Sequence, residues 1–279
     1  MTQKQVPVNP DEKASGGFFE ILSIVVQAVL IALVIRTFLF QPFTIPSGSM
    51  RPTLLVGDYL FVSKYSYGYS KYSLPFSPNL FSGRIWGSEP KRGDVLVFRL
   101  PSNTSYDYIK RVVGLPGDRI QVLNGQLIIN GKPVERTKIG ETTDVDVIGD
   151  MPNTAFKESH LYDPNSDLPV SVYREKMDNG VQYNTFDLGS PYWRDTDRVF
   201  TIQPGHYFMM GDNRNNSEDS RFSVGQVPYE NLVGRANIIF FSIGNGASAW
   251  QIWNWPFDVR WSRMFSFVQT IKNVPTGQK

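Results

Sequence analysis

The chain changes texture three times along its length. Residues 1–17 are polar, interrupted by Pro7, Pro10, Gly16 and Gly17, and show no apolar period, so they are expected to form a disordered tail. Residues 18–40, FFEILSIVVQAVLIALVIRTFLF, are almost wholly apolar. At 1.5 Å per residue, about 20 such residues cross a hydrocarbon core, and the segment predicts a transmembrane anchor with Glu20 and Arg36 near the interfaces. The other readings are a buried core helix and a cleaved signal sequence. The latter calls for a basic start and small residues at its end, whereas this segment runs into Phe38, Leu39, Phe40 and Pro42. Lys4 and Lys13 are offset by Asp11 and Glu12, while Arg36 and Arg51 follow the span, so charge alone does not settle its orientation.

Beyond Gln41 the pattern becomes short runs rich in Val, Ile, Phe and Tyr: DYLFVSKY, DVLVFRL, RIQVLNGQLIINGK, HYFMMGDN and ANIIFFSIG. Separated by Gly, Pro and Asn-Gly, these predict strands of a mostly antiparallel system, with turns at Asn124-Gly125 and Asn130-Gly131. Residues 119–203 are more polar and turn-rich, with few strong strand patterns, and read as an inserted smaller lobe. The expected fold is therefore mainly β: an antiparallel catalytic domain over 41–118 and 204–279, the 119–203 lobe, and one N-terminal transmembrane helix. No repeat of solenoid or propeller spacing is present.

Composition narrows the chemistry. Of 279 residues 19% are charged and the formal net charge is +2, which is no footprint for nucleic acid. The absence of cysteine removes disulfides, thiolate nucleophiles and iron–sulfur ligation. The two histidines, His160 and His206, lack the close helical spacing of a zinc protease, so neither a metal nor another cofactor is expected.

Three segments could carry a reaction. In Thr44-Ile45-Pro46-Ser47-Gly48-Ser49-Met50-Arg51-Pro52, glycine beside Ser49 permits a backbone that presents a hydroxyl and amides, although Ser-Gly-Ser is also an ordinary turn. In Asp107-Tyr108-Ile109-Lys110-Arg111, a strand puts Tyr108 and Lys110 on one face and Ile109 and Arg111 on the other. An inward Lys110 would be desolvated, and burial lowers a lysine by as much as about 3–5 pKa units, enough to make it a base for Ser49; an outward one is a solvated strand lysine. The third, Gly211-Asp212-Asn213-Arg214-Asn215-Asn216-Ser217-Glu218-Asp219-Ser220-Arg221, has Arg214 at a ligand position of a calcium loop and lacks that motif's glycine. Its bland reading is a hydrated turn with a local Asp219–Arg221 pair.

PSGSMRPTL, Gly57-Asp58, KRGDV, YIKRVVGLPGD and GDNRNNSEDSR together, in this order after the anchor, resemble the bacterial type I signal peptidase family. The resemblance implies a serine endopeptidase with Ser49 as nucleophile and Lys110 as general base. It further implies Ser217 as the hydroxyl that orients the lysine, Asp219 and Arg221 as a supporting ion pair, and Ser47 with the Ser49 amide as an oxyanion hole. Family substrates are signal peptides of exported preproteins, cut after an Ala-x-Ala type boundary and bound extended. By position Ile45, Met50, Leu54, Tyr108 and Ile109 would line the pockets, or simply pack in a core. The resemblance also places the protein in the bacterial inner membrane, single-pass, with its N-terminus cytoplasmic and its catalytic domain outside. Expected partners are signal peptides and membrane lipid, without nucleic acid or metal. The tail, with Trp250, Trp253, Trp255 and Trp261 among Arg260 and Arg263, suits a headgroup boundary or packing on the sheet. Two other functions compete: a self-cleaving Ser/Lys regulator, a kind of protein that lacks a span and carries a DNA-binding domain, and a tethered β-domain that binds without catalysis.

Overall fold

The computed structural model describes residues 12–74, 77–142, 170–189, 196–244 and 249–268. The apolar segment is helical: α1 runs Glu12–Val34 and passes through a π-turn, Ile35–Leu39, directly into strand β1, Phe40–Thr44. The helix thus starts inside the segment expected to be a disordered tail. Glu12, Lys13 and Ala14 are good helix formers, and Gly16-Gly17 is carried through by the long apolar run behind it. Residues 1–11 of that expected tail lie outside the described residues. Residues 17–39 are long and apolar enough to cross a membrane, and their most apolar stretch is not buried against the rest of the protein.

The rest is mostly antiparallel sheet, as the pattern of short apolar runs predicts. The main sheet has the order β1-β2-β14-β3-β4-β12-β13, with β15 also on β14. Its strands are β2 Asp58–Ser63, β3 Val95–Leu100, β4 Asn103–Gly114, β12 His206–Met210, β13 Val227–Pro228, β14 Leu232–Ser242 and β15 Ser266–Phe267. Ile45, Met50, Leu54, Leu60, Val95, Val97 and Ile239 form one apolar cluster beneath it. The predicted turns are present. Strands β5, Arg119–Leu123, β6, Gln126–Ile129, and β7, Lys132–Pro133, are joined by Asn124-Gly125 and Asn130-Gly131. All four turn residues have positive φ, from 49° to 76°, which suits the right-handed strand twist.

With β11, Thr196–Thr201, these strands make a four-stranded sheet. A second cluster, including Val113, Ile120, Leu127, Phe208 and Met210, joins it to the ends of β4 and β12. A separate three-stranded sheet consists of β8, Glu135–Thr142, β9, Val170–Lys176, and β10, Gln182–Asp187. The sequence hides these three strands because they bury charge as well as apolar surface: Glu175 and Asp187 are sealed, and Arg136 pairs with both. In the tail Trp250, Trp253 and Trp261 are exposed and Trp255 packs on Phe241, 5.0 Å between ring centres. The arginines turn inward: Arg263 pairs with the buried Asp58, and Arg260 donates to the Ser242 hydroxyl and the Ile243 carbonyl.

Candidate active site

The loop after β1 is built to hold a serine. Its first residue is fixed by pairing with the start of β2: Ile45 N–H donates to the Asp58 carbonyl (2.9 Å), and Gly57 N–H donates to the Ile45 carbonyl (3.0 Å). Ser47 is extended, and Gly48–Met50 then form a single 3-10 turn that carries Ser49. The buried Met50 and Leu54 anchor the turn from below. From above, the backbone N–H of Asn213 donates to the Ser49 carbonyl (3.1 Å) and its side-chain amide to the Gly48 carbonyl (3.2 Å).

Lys110 lies on β4, register partner of Leu96 on β3. Its side chain is 4% exposed and Nζ donates to Ser49 Oγ at 2.7 Å. Burial lowers its pKa from 10.5 to about 8; Asp219, Asp212 and Glu218 oppose that fall and Arg221 adds to it. The sheet holds a second buried lysine, Lys64, also lowered to about 8, first by burial and then by Arg36 and Arg99. Its amine is committed to the Ser73 backbone carbonyl, so a low pKa does not by itself single out a base. Lys110 differs in that its amine meets a serine hydroxyl.

The polar loop after β12 closes the site. Asp219 is fully buried and meets Arg221 in two bonds, Nε to Oδ1 at 2.9 Å and an Nη to Oδ2 at 2.8 Å. Burial pushes the Asp219 carboxyl up, but Arg221, the Gly211 amide and the Ser217 hydroxyl outweigh it and leave it below its ordinary value. Gly211 is a second place where the loop meets the serine turn: a Cβ there would stand 2.2 Å from Ser217 Oγ and 2.5 Å from the Ser49 carbonyl oxygen. Only glycine allows Ser217 and the Ser49 backbone to come so near each other.

A cleft of about 340 Å³ opens over the Ser49–Lys110 contact, lined by Pro46, Ser47, Ser49, Tyr108, Ile109 and Lys110, with Asp107, Asn216 and Glu218. Ser47 is exposed there. Ile45, Met50 and Leu54 are instead sealed in the core beneath and do not line it. They sit on the serine turn and the loops flanking it, whose underside faces the apolar cluster, and Ile109 packs against that cluster as well as lining the cleft.

A match to the model of the family described as signal peptidase, peptidase S26, extends over residues 18–241 and so includes Ser49, Lys110, Ser217, Asp219 and Arg221. The chain belongs to the signal peptidase family, peptidase S26. It is a serine endopeptidase, a hydrolase whose family removes signal peptides. The signal peptidase I of Rickettsia prowazekii (strain Madrid E) is 40% identical over 251 residues, 87% of this chain and 85% of that protein. That of Rickettsia typhi (strain ATCC VR-144 / Wilmington) is 41% identical over 222 residues, 77% of this chain and 76% of that one. A crystal structure of a signal peptidase I from Enterococcus faecalis V583 is 23% identical, covering 53% of this chain and 97% of its own with a TM-score of 0.28.

Two features of this family member were not evident in its sequence. Arg111, 1% exposed, forms a two-bond pair with Asp212 (2.8 and 2.6 Å) and donates to the Gly93 carbonyl (2.7 Å) and Thr53 hydroxyl (3.2 Å). It thus ties β4 to both the serine segment and the polar loop. The alternation of β4 separated Arg111 from Lys110, and nothing local to it names a partner 101 residues away. The second feature is the support given by β10. Phe186 N–H donates to the Asp212 carbonyl (2.9 Å), Arg214 N–H to the Phe186 carbonyl (3.0 Å) and Leu188 N–H to Asn215 Oδ1 (2.8 Å). Below them Arg214 pairs with the buried Glu175 at 2.5 Å. The three-stranded sheet therefore props the loop that carries Ser217 and Asp219.

Proposed function

We propose that this protein is a membrane-bound endopeptidase that removes N-terminal signal peptides from exported preproteins after small residues, with Ser49 as nucleophile and neutral Lys110 as general base. The observation that carries the reading is the 2.7 Å bond from a buried, pKa-lowered amine to a serine hydroxyl. An ordinary lysine near pKa 10.4 is unprotonated in only about one molecule in 2,500 at pH 7, whereas a pKa near 8 leaves about one in ten able to accept a proton. In the reaction the neutral amine takes the Ser49 proton as Oγ attacks the scissile carbonyl. The resulting oxyanion accepts hydrogen bonds from the Ser49 amide and the Ser47 hydroxyl. The lysine then returns the proton to the leaving amine, and water, deprotonated by the same lysine, hydrolyses the acyl-enzyme.

Ser217, Asp219 and Arg221 act on Lys110, orienting it and keeping counter-charge buried beside it. A strand-like peptide laid along β4 would run past Tyr108 and Ile109. The cleft, near the lower end of the roughly 300–1,000 Å³ usual for ligand sites, has room for alanine-sized side chains at the positions it receives. Ile45, Met50 and Leu54 would form the floor of those pockets only if the cleft deepened on binding. In this reading residues 41–118 and 204–279 form the catalytic domain, 119–203 its lobe, and the apolar helix the anchor in the bacterial inner membrane, with the catalytic side facing outward where signal peptides emerge.

The test is cleavage of a peptide with an Ala-x-Ala boundary by the full chain in detergent. Ser49→Ala and Lys110→Ala should each abolish turnover while the circular dichroism spectrum is preserved. Cleavage by the double variant at the unaltered rate would end the proposal.

A further inference from the structure

Where the anchor meets the main sheet, a second and larger cavity of about 1080 Å³ is enclosed on one side by the end of the membrane helix and on the other by β1, β2 and β14. Ala32, Ile35, Phe61 and Ile238 are among its apolar walls, and Arg36 and Arg235 also line it. Its size is at the top of the roughly 300–1,000 Å³ range of small-molecule sites. The apolar surface continues past it: Phe61 stacks on Phe240 with ring centres 4.3 Å apart.

Three observations bear on what this space could hold. One wall belongs to the helix that is long and apolar enough to span a bilayer, and the π-turn joins that helix to β1 without a linker, so the cavity lies where the helix leaves the hydrocarbon. Walls so apolar are poor hosts for water, and acyl chains are the abundant apolar species at that depth. Two guanidiniums lining an apolar cavity complement an anionic headgroup, since their planar donors match a phosphate in pairs. Arg235 is held by a 3.2 Å contact to Asp94, which fixes its direction while sharing its charge.

We propose that this cavity is a binding site for one anionic glycerophospholipid, its acyl chains between the helix and the sheet and its phosphate between Arg36 and Arg235. The inference goes beyond the proteolytic reading and needs only that the helix cross a membrane. The test is native mass spectrometry of the full chain, purified in detergent, delipidated and offered dioleoylphosphatidylglycerol or dioleoylphosphatidylcholine. The unaltered protein should retain one phosphatidylglycerol and prefer it at least ten-fold, from a contribution of about five-fold for each arginine near an anionic surface. Arg36→Gln with Arg235→Gln should bring the preference below about three-fold. Ala32→Trp, which fills the cavity from the helix side, should abolish retention of both lipids without changing cleavage of a short soluble peptide. Equal retention of the two lipids by the unaltered protein, unchanged retention in Ala32→Trp, or displacement of the lipid by an apolar signal-peptide segment would overturn the proposal. A full chain that stays in aqueous solution without detergent would instead defeat the anchoring on which it rests, whatever the outcome of the peptide cleavage assay.

Discussion

Replacing Arg111 by methionine tests how the site is held together. The guanidinium and the Asp212 carboxylate are both sealed from solvent and joined by two bonds, and the Thr53 hydroxyl also donates to that carboxylate. Arg111 further donates to the Gly93 carbonyl and lies 4.0 Å over the Tyr183 ring. Arg111→Met strands a carboxylate without its cation, which costs about 3–5 kcal/mol, a third or more of the roughly 5–15 kcal/mol that keeps a domain folded. Arg111→Met with Asp212→Leu removes both charges, and apolar replacement of a buried pair is often neutral, so the double variant should regain most of that loss. Activity should not return with it. The pair joins the strand of Lys110, the segment of Ser49 and the loop of Ser217, and displacement of reacting groups by about 1 Å can cost on the order of a hundred-fold. Urea unfolding followed by tryptophan fluorescence, with kcat for an Ala-x-Ala peptide, reads both effects. A single variant within about 0.5 kcal/mol of the unaltered protein, or a double variant less stable than the single, would refute the reasoning.

Other perturbations act on the charges around the dyad. Glu218 lines the cleft and favours the protonated form of Lys110, so Glu218→Gln should move the rise of kcat/KM to lower pH and increase the rate at pH 7 about two- to three-fold; an unmoved profile contradicts this. Glu175→Gln should weaken the hold on Arg214 and lower kcat more than it changes KM, detectable in full kinetics on the same peptide, and unchanged kcat would deny the lobe its propping role. Lys110→Met should stabilise the fold at pH 7 by about 1–3 kcal/mol while abolishing turnover. The sign follows from a folded pKa near 8 against 10.5: the native protein resists the proton that the unfolded chain accepts, so the penalty is complete below pH 8 and fades as the pH approaches 10.5. Thermal unfolding of both proteins at pH 7 and pH 10 checks it, since the gain should shrink at the higher pH.

The apolar run of residues 18–40 made the long helix legible, the alternating runs most of the main sheet, and the two Asn-Gly turns the β5–β6–β7 strands beside it, because each signal is local to its element. Strands β8 to β10 were not legible: their faces bury Glu175, Asp187 and Asn184, and a sequence pattern cannot show that Arg136 and Arg214 come to meet them. The pairing of Ser49 with Lys110 was visible only through the motifs, since the two are 61 residues apart and nothing in either segment refers to the other. The same motifs implied pocket roles for Ile45, Met50 and Leu54, whose side chains lie in the core, and gave Arg111 no role. Position along a strand fixes which face a side chain takes, but what covers that face is decided by chain far away.

The account stands most directly on the pH dependence of kcat/KM for an Ala-x-Ala peptide between pH 5 and 10. A buried lysine base gives a rate that rises through one transition near pH 8, the value to which burial lowers Lys110, with no inflection near 6.5 where an unperturbed histidine titrates. A rate already at its plateau at pH 7, or one that follows a group near 6.5, would contradict it.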